Sequence, residues 1–426
     1  MAGVRNASGP CTTAGPRAAA PGGGPPRRAA VLGLAALLLV PGSGCTAPAK
    51  NPGTATREIR QTLDRRAAAV LDRDERAYLA DLDPSAAGLR ATGRREFENL
   101  ADVPLSSWEY RVTGVERSGD RATAHAELRY RLAGYDSAPV STPRTLELAE
   151  REGRWYVTGD RPGKGGARQL WQQGAVRVVR GTHSLVLGVG PDEKRLRAVA
   201  AAADRAVPAV EAAWPGPWAG RVVLLVPGSL TSMAELLGAS AAGYRGIAAV
   251  TTGETGGSGA SPADRVIVNP EAYGALGTFG QRIVLTHETT HVATRAATSA
   301  ATPTWLSEGF ADRIAYRGTG RTAGEIAPEL QRAVRRREVP AALPDDRDFA
   351  FGGDADRLAR AYESGWLACE LIAERWGEKP LTDFYRAVGA HSGRAGAVEN
   401  ALHDILSTTP EDFTVRWRAY LRQRLG

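Results

Sequence analysis

Apolar residues recur at helical spacing from Thr56 to Tyr78, at Ile59, Leu63, Ala67, Val70, Leu71 and Tyr78, so one face of this segment is built for burial. A second helix is predicted over 87–100. The period then falls to two. Trp108, Tyr110 and Val112 alternate with Glu109, Arg111 and Thr113. Ala124, Ala126, Leu128, Tyr130 and Leu132 alternate with His125, Glu127, Arg129 and Arg131. That alternation presents one apolar face, as in a half-buried strand. Two shorter strands, 144–149 and 154–158, meet at a turn on Glu152-Gly153, with Trp155 on one face. Helices followed by antiparallel strands describe an α+β unit over residues 56–160.

A Gly/Arg-rich stretch, 158–168, closes this unit, and a second one spans 170–426. The second unit opens with strands at 175–180 and 184–188, a long Ala-rich helix at 192–214, a buried strand at 221–226 and a short helix near 231–237. A strand at 247–252 leads into a Gly/Ser loop, 253–263, expected to be exposed. After the apolar strand 265–269 everything reads as helix: 279–295, 303–316, 325–336, 358–376, 381–388, 398–406 and 410–425. The expected architecture is therefore α+β throughout, with a mostly helical C-terminal half. In its element order, the first unit resembles the cone-shaped NTF2-like fold. His125 falls on the polar side of its strand and reads as a solvated histidine.

The 426-residue chain is long enough for two such units plus a leader. Its net charge of +7 invites a nucleic-acid reading, but the cations are nearly all Arg (the lysines are Lys50, Lys164, Lys194 and Lys379) and they alternate with acids, as in Asp72-Arg73-Asp74-Glu75-Arg76. No groove-reading motif accompanies them, so no nucleic-acid partner is expected. Arg27-Arg28 precede a short apolar run, 29–40, too short to span a bilayer, and small residues follow. That is the pattern of a secretory signal peptide. Gly42-Ser43-Gly44-Cys45 resembles a bacterial lipobox, which implies a signal peptide over 1–45, lipidation of Cys45, a tether over 46–55, and a membrane-anchored protein facing outside. A cut after Ala47-Pro48-Ala49 would instead secrete a soluble chain. Cys11, Cys45 and Cys369 cannot make a disulfide framework, and Cys369 lies in an apolar helical run where it reads as core.

The chemistry concentrates in Leu285-Thr286-His287-Glu288-Thr289-Thr290-His291-Val292. Histidines at i and i+4 share one helical face and can reach a single ion at about 2.0–2.1 Å. Glu288, one step round, leans toward the open side of that ion, where water would lie. A short connection then leads to Thr302-Pro303, read as an N-cap with Pro at the first helical position, and to Trp305-Leu306-Ser307-Glu308-Gly309-Phe310-Ala311-Asp312. An antiparallel second helix lets Glu308 face the two histidines as a third ligand. Asp312, one turn on, suits the free ring N–H of a ligand histidine, and Gly309 suits a close helix approach. Three ligands with a carboxylate beside the open position point to a catalytic zinc ion rather than a closed structural one.

These two segments resemble the gluzincin metallopeptidases of the MA clan: closely the bacterial peptidase MA-like domains, more distantly the M1 aminopeptidases. The resemblance is specific over about 280–316 and softer through Gly377. It implies a thermolysin-like fold for the second unit, Zn2+ held by His287, His291 and Glu308, and Glu288 as general base in the hydrolysis of peptide bonds. It also implies a downstream tyrosine for the oxyanion. Tyr362, in Tyr362-Glu363-Ser364-Gly365-Trp366, matches that segment, and Tyr316 is the rival. No G-A-M-E-N-like exopeptidase motif precedes the metal helix. The apolar strand 265–269 is a candidate edge for an extended peptide substrate. A zinc-bearing but inactive surface lipoprotein that binds through its first unit is the alternative. Oligomeric state is not legible in the sequence.

Overall fold

The computed structural model describes residues 5–6, 52–252, 264–350 and 354–426. The export segment with Cys45, and the Gly/Ser loop 253–263, lie outside the described residues apart from β1 (Arg5–Asn6). No helix among the described residues is long and apolar enough to cross a membrane.

The first unit begins earlier than the sequence pattern suggested. Helix α1 (Pro52–Leu71) takes in the end of the expected tether, because Ala55 is already buried and continues the Ile59, Leu63, Ala67 and Val70 stripe. Helix α2 (Glu75–Ala80) is started by Asp74, whose side chain accepts from the Ala77 N–H. Helix α3 (Ala87–Asn99) follows. Four strands, β2 (Leu105–Ser118), β3 (Arg121–Leu132), β4 (Val140–Arg151) and β5 (Arg154–Pro162), form an antiparallel meander in that order. Glu152 and Gly153 both hold positive φ, 51° and 80°, as a two-residue hairpin matched to right-handed strand twist requires. His125 is half exposed beside Glu116.

The second unit is built on a mixed sheet in the order β1-β9-β10-β8-β7-β6. Its strands are β6 (Arg177–Arg180), β7 (Ser184–Gly188), β8 (Val222–Val226), β9 (Ala249–Thr252) and β10 (Arg265–Val268). Strands β7, β8 and β10 run parallel, while β9 is antiparallel to β10. The expectation that 265–269 forms a substrate edge is thereby corrected: β10 is hydrogen-bonded on both sides, to β8 and β9. A period-two or all-apolar run announces a strand without naming its neighbours. Helix α4 (Glu193–Ala213) covers the sheet through Leu196, Val199, Ala203 and Val207. The short helices α5 (Leu230–Leu237) and α6 (Pro270–Ala275) precede the long α7 (Thr278–Thr294).

From there the chain is helical: α8 (Thr304–Tyr316), α9 (Ala323–Ile326), α10 (Pro328–Arg335), α11 (Ala355–Trp376), α12 (Glu378–Ala390), α13 (Ala397–Leu406) and α14 (Pro410–Leu425). Pro303 is itself the N-cap of α8 rather than its first residue, and the Thr304 N–H is satisfied from elsewhere, by Asp346 Oδ1 at 2.9 Å. Pro328 splits the expected helix 325–336 into α9 and α10, since a proline N-terminus cannot continue the preceding turn.

The two units share one core. Trp108 and Tyr130 of the first sheet pack on Trp171, with ring centroids 5.2 and 5.1 Å away, and the same cluster continues into Leu185, Leu187 and Val223 of the second sheet. Across this seam Arg265 on β10 grips Asp136 with two hydrogen bonds of 2.7 Å, and the two side chains are 6% and 1% exposed. A paired charge so buried marks a fixed junction, because separation would strand both ions.

Candidate metal centre

Helix α7 is polar yet buried along its second half, where Thr286, His287, Glu288, Thr289, Thr290 and His291 are all inside. Three threonines bond back along the chain: Thr290 Oγ1 donates to the Thr286 carbonyl, Thr294 to Thr290 and, just past the helix end, Thr298 to Thr294, at 2.8–3.0 Å. The two histidines turn toward a neighbouring helix, and Glu288 toward β9. The neighbour is α8, brought back against α7 by the short connection between them.

His287 Nε2 and His291 Nε2 lie 2.9 Å apart, and Glu308 Oε2 lies 3.2 and 3.5 Å from them. Ligands at 2.0–2.2 Å from one tetrahedral zinc ion stand about 3.3 Å from each other, so the spacing fits a single ion. The tautomer fits as well. His287 Nδ1 donates to Asp312 Oδ1 at 2.7 Å, which leaves the Nε2 lone pair facing the centre. Among the described residues this is the one group of three such side chains whose ligand atoms converge, all within 4.8 Å. Two imidazoles and a carboxylate suit zinc better than calcium or magnesium, which prefer oxygen alone.

Without an ion the charges are mutually dependent. Burial pushes the Glu308 carboxyl up, but His291 and His287 outweigh it and hold it at about 2. Burial lowers His287, and Asp312 and Glu308 then carry it up to about 10. Burial keeps His291 below its ordinary value. Burial also drives Glu288 up to about 8, with His287 and Thr251 opposing. A bound dication reverses this local logic and favours the ionised carboxylate.

Glu288 is fully buried, and its two oxygens differ. Oε2 accepts from Thr251 Oγ1 at 2.5 Å, whereas Oε1 has no hydrogen-bond partner. Thr251 is the site residue that sequence reasoning missed. It sits on β9, at the outer side of β10, and only strand pairing reveals that its hydroxyl meets α7. At the C-terminal end of α7, Arg295 is held by Asp264 at 3.2 and 3.3 Å.

Helix α8 is fixed from behind. A Cβ on Gly309 would stand 2.2 Å from the Gly365 carbonyl oxygen, and one on Gly365 would stand 2.5 Å from the Trp305 carbonyl oxygen, so α8 and α11 touch backbone to backbone. The candidate tyrosines are placed differently from the triad. Tyr362 is 6% exposed in the helical core with its ring 5.2 Å from Phe349. Tyr316, one turn beyond Asp312, packs 6.3 Å from Trp366, and burial raises its phenol above the ordinary range. Cys369 is a free, buried thiol, raised by burial.

No family model and no curated protein matches the chain. Among solved structures it is similar to native yeast LTA4 hydrolase, at 13% identity over 67% of this chain and 45% of that one, with a TM-score of 0.34. It is also similar to an M1 zinc metallopeptidase of Deinococcus radiodurans bound to a Tyr-Ser-Ala substrate, at 13% identity over 72% of this chain and 62% of that one, with a TM-score of 0.30. The chain thus spans less than two thirds of either. A chain named Rd1NTF2 matches at 15% identity over 26% of this chain and 100% of its own, with a TM-score of 0.20.

Proposed function

We propose that this protein is an exported zinc-dependent metallopeptidase that hydrolyses peptide bonds with Glu288 as general base. The observation that carries the reading is the tetrahedral spacing of His287, His291 and Glu308 beside a buried carboxylate oxygen with no partner. Zinc bound by these three residues supplies a Lewis acid that polarises a carbonyl and lowers the pKa of water toward about 7.

The chain's own residues do the rest. Glu288 Oε1 takes the proton of the attacking water, and the same carboxyl returns it to the leaving amine nitrogen. Thr251 holds the other oxygen, so the base keeps one orientation. Asp312 fixes the His287 tautomer. A phenol, assigned to Tyr362 with Tyr316 as the rival, donates to the oxyanion, where one aimed donor contributes about 3 kcal/mol. A peptide substrate is the partner, and the N-terminal leader with Cys45 as lipid anchor puts the enzyme on the outer membrane face.

The test separates ligand from base. Glu288→Gln retains stoichiometric zinc by elemental analysis and loses hydrolysis of a quenched-peptide library. Glu308→Ala loses the zinc itself. A Glu288→Gln protein that still cleaves peptides removes Glu288 from the mechanism, and labelled palmitate retained by a Cys45→Ala protein refutes the anchor.

A further inference from the structure

A cavity of about 380 Å³ opens at the carboxyl ends of two parallel strands, where it is lined by Val226, the last residue of β8, and Val268, the last residue of β10. Open α/β sheets hold ligands at such strand ends, where the connections diverge and leave a crevice. Helices α4 and α6 and the start of α7 supply the other walls. Val199, Val226 and Val268 are buried aliphatic residues of the lining. The volume falls in the range of small-molecule sites and equals that of about a dozen waters.

One cation and one anion border this hydrocarbon. Arg195 of α4 and Glu271 of α6 both line the cavity and are exposed, and among the described residues neither has an ion-pair partner. Glu271 Oε1 accepts from the Leu230 N–H at 3.2 Å, which orients the carboxylate and leaves its second oxygen for another donor. Gln281, at the start of α7, spends its amide nitrogen on the Tyr273 and Leu276 carbonyls at 3.2 and 3.1 Å, so α6 is pinned to α7. Tyr273 belongs to the same wall, and its buried hydroxyl has no hydrogen-bond partner. Buried hydroxyls are nearly always paired, and a polar ligand at this wall would satisfy it.

The charges select the ligand. An anion would meet Glu271 as well as Arg195, a cation the reverse, and an uncharged molecule would cover both ions without pairing either. A zwitterion satisfies both. Taken as a sphere the cavity is about 9 Å across, so both charges and an apolar body must fit within that length. An aliphatic α-amino acid does so, because its ammonium and carboxylate share one carbon.

We propose that this cavity binds a free α-amino acid with an apolar side chain, its carboxylate on Arg195, its ammonium on Glu271 and its side chain against the three valines. The site is separate from the metal centre: Gln281, its lining residue on α7, precedes His287 by six residues, about 9 Å along the helix. The inference requires no zinc.

L-Leucine is the probe. Calorimetric titration of the intact protein should show one saturable site with a Kd at or below about 1 mM, and no saturation by about 10 mM overturns the proposal. Leucine amide lacks the carboxylate and N-acetyl-leucine lacks the ammonium. Each should bind at least about tenfold more weakly, and binding of either equal to that of leucine overturns the zwitterion. Arg195→Gln and Glu271→Gln should each weaken leucine about tenfold. Ala198, an exposed residue of α4, also lines the cavity. Ala198→Phe fills the space and should abolish binding with the circular dichroism spectrum unchanged. Binding that survives this change places leucine elsewhere, the metal centre included, and overturns the proposal. If Ala198→Phe fails to fold, Arg195→Gln decides, and affinity within twofold of the parent overturns the site.

Discussion

Replacing Gly309 by alanine tests how the proposed metal ligands are positioned, because Gly309 neighbours Glu308 on α8 but faces α11 at Gly365. The added Cβ would lie 2.2 Å from the Gly365 carbonyl oxygen, 2.3 Å from its carbon and 2.8 Å from the Trp366 nitrogen. All three are backbone atoms of a helix packed on every side, so no side chain can swing away. Helices α8 and α11 must part by at least 0.8 Å before the closest contact reaches even 3.0 Å. Overpacking of this kind costs about 1–3 kcal/mol, and a backbone collision belongs at the upper end. The displacement also moves Glu308, while ligand distances tolerate only about 0.2 Å. Gly309→Ala is therefore expected to lower Tm in the metal-free protein and to weaken zinc binding by at least about a hundredfold. Competition with a chromophoric chelator, run well below the variant's Tm, reads the affinity separately from the unfolding. A Gly309→Ala protein with unchanged Tm and a zinc Kd within twofold of the parent would refute the backbone-contact argument.

Other outcomes follow from single contacts. Gly88 in α3 meets nothing within 4 Å of a built Cβ, so Gly88→Ala should stabilise by about 0.5–1 kcal/mol in urea unfolding, opposite in sign to Gly309→Ala. Asp136→Asn leaves the Arg265 guanidinium buried without its counter-charge and should cost about 3–5 kcal/mol, read as a lower urea midpoint; a midpoint within error of the parent refutes the junction. On the peptidase reading, Thr251→Val should lower kcat about tenfold with zinc content unchanged, and Thr251→Ser should restore most of it. Zinc at a thousandfold excess over Kd should add about 4 kcal/mol to stability, which a chelator then removes; a Tm indifferent to chelator would show that the triad holds no ion.

What the sequence discloses about this molecule is what local periodicity controls. The i, i+4 histidines need only a helix, and the short connection to α8 restricts where Glu308 can fall. The strand alternation of Trp108 to Val112 and Ala124 to Leu132 likewise needs no partner to be recognised. Everything that depends on which segments become neighbours stays hidden. Strand β9 rather than β10 lies toward the outer side, because an apolar strand reads the same in either place. Thr251 therefore carries no mark of its hydrogen bond to Glu288. Gly309 suggests a close approach, but its partner Gly365 is supplied by a helix far along the chain. Asp136 and Arg265 are 129 residues apart, and each alone reads as an ordinary surface charge.

The same hidden contacts explain how the first unit bears on the metal helix. Asp136 of that unit clamps Arg265, the first residue of β10. The preceding residue, Asp264, holds Arg295 at the C-terminal end of α7. On its other side β10 pairs with β9, where Thr251 opposes Val266 and donates to Glu288. Two routes thus run from one buried ion pair to α7, one to its end and one to its central carboxylate. Each passes through backbone or charged hydrogen bonds without a flexible aliphatic contact between. A first unit joined by a loose tether could be removed without consequence for the histidines. One that supplies the counter-charge at the root of β10 cannot, because its removal strands Arg265 and uncovers Leu185, Leu187 and Val223 on the sheet that supports α7. The first unit is therefore part of the scaffold of the metal centre.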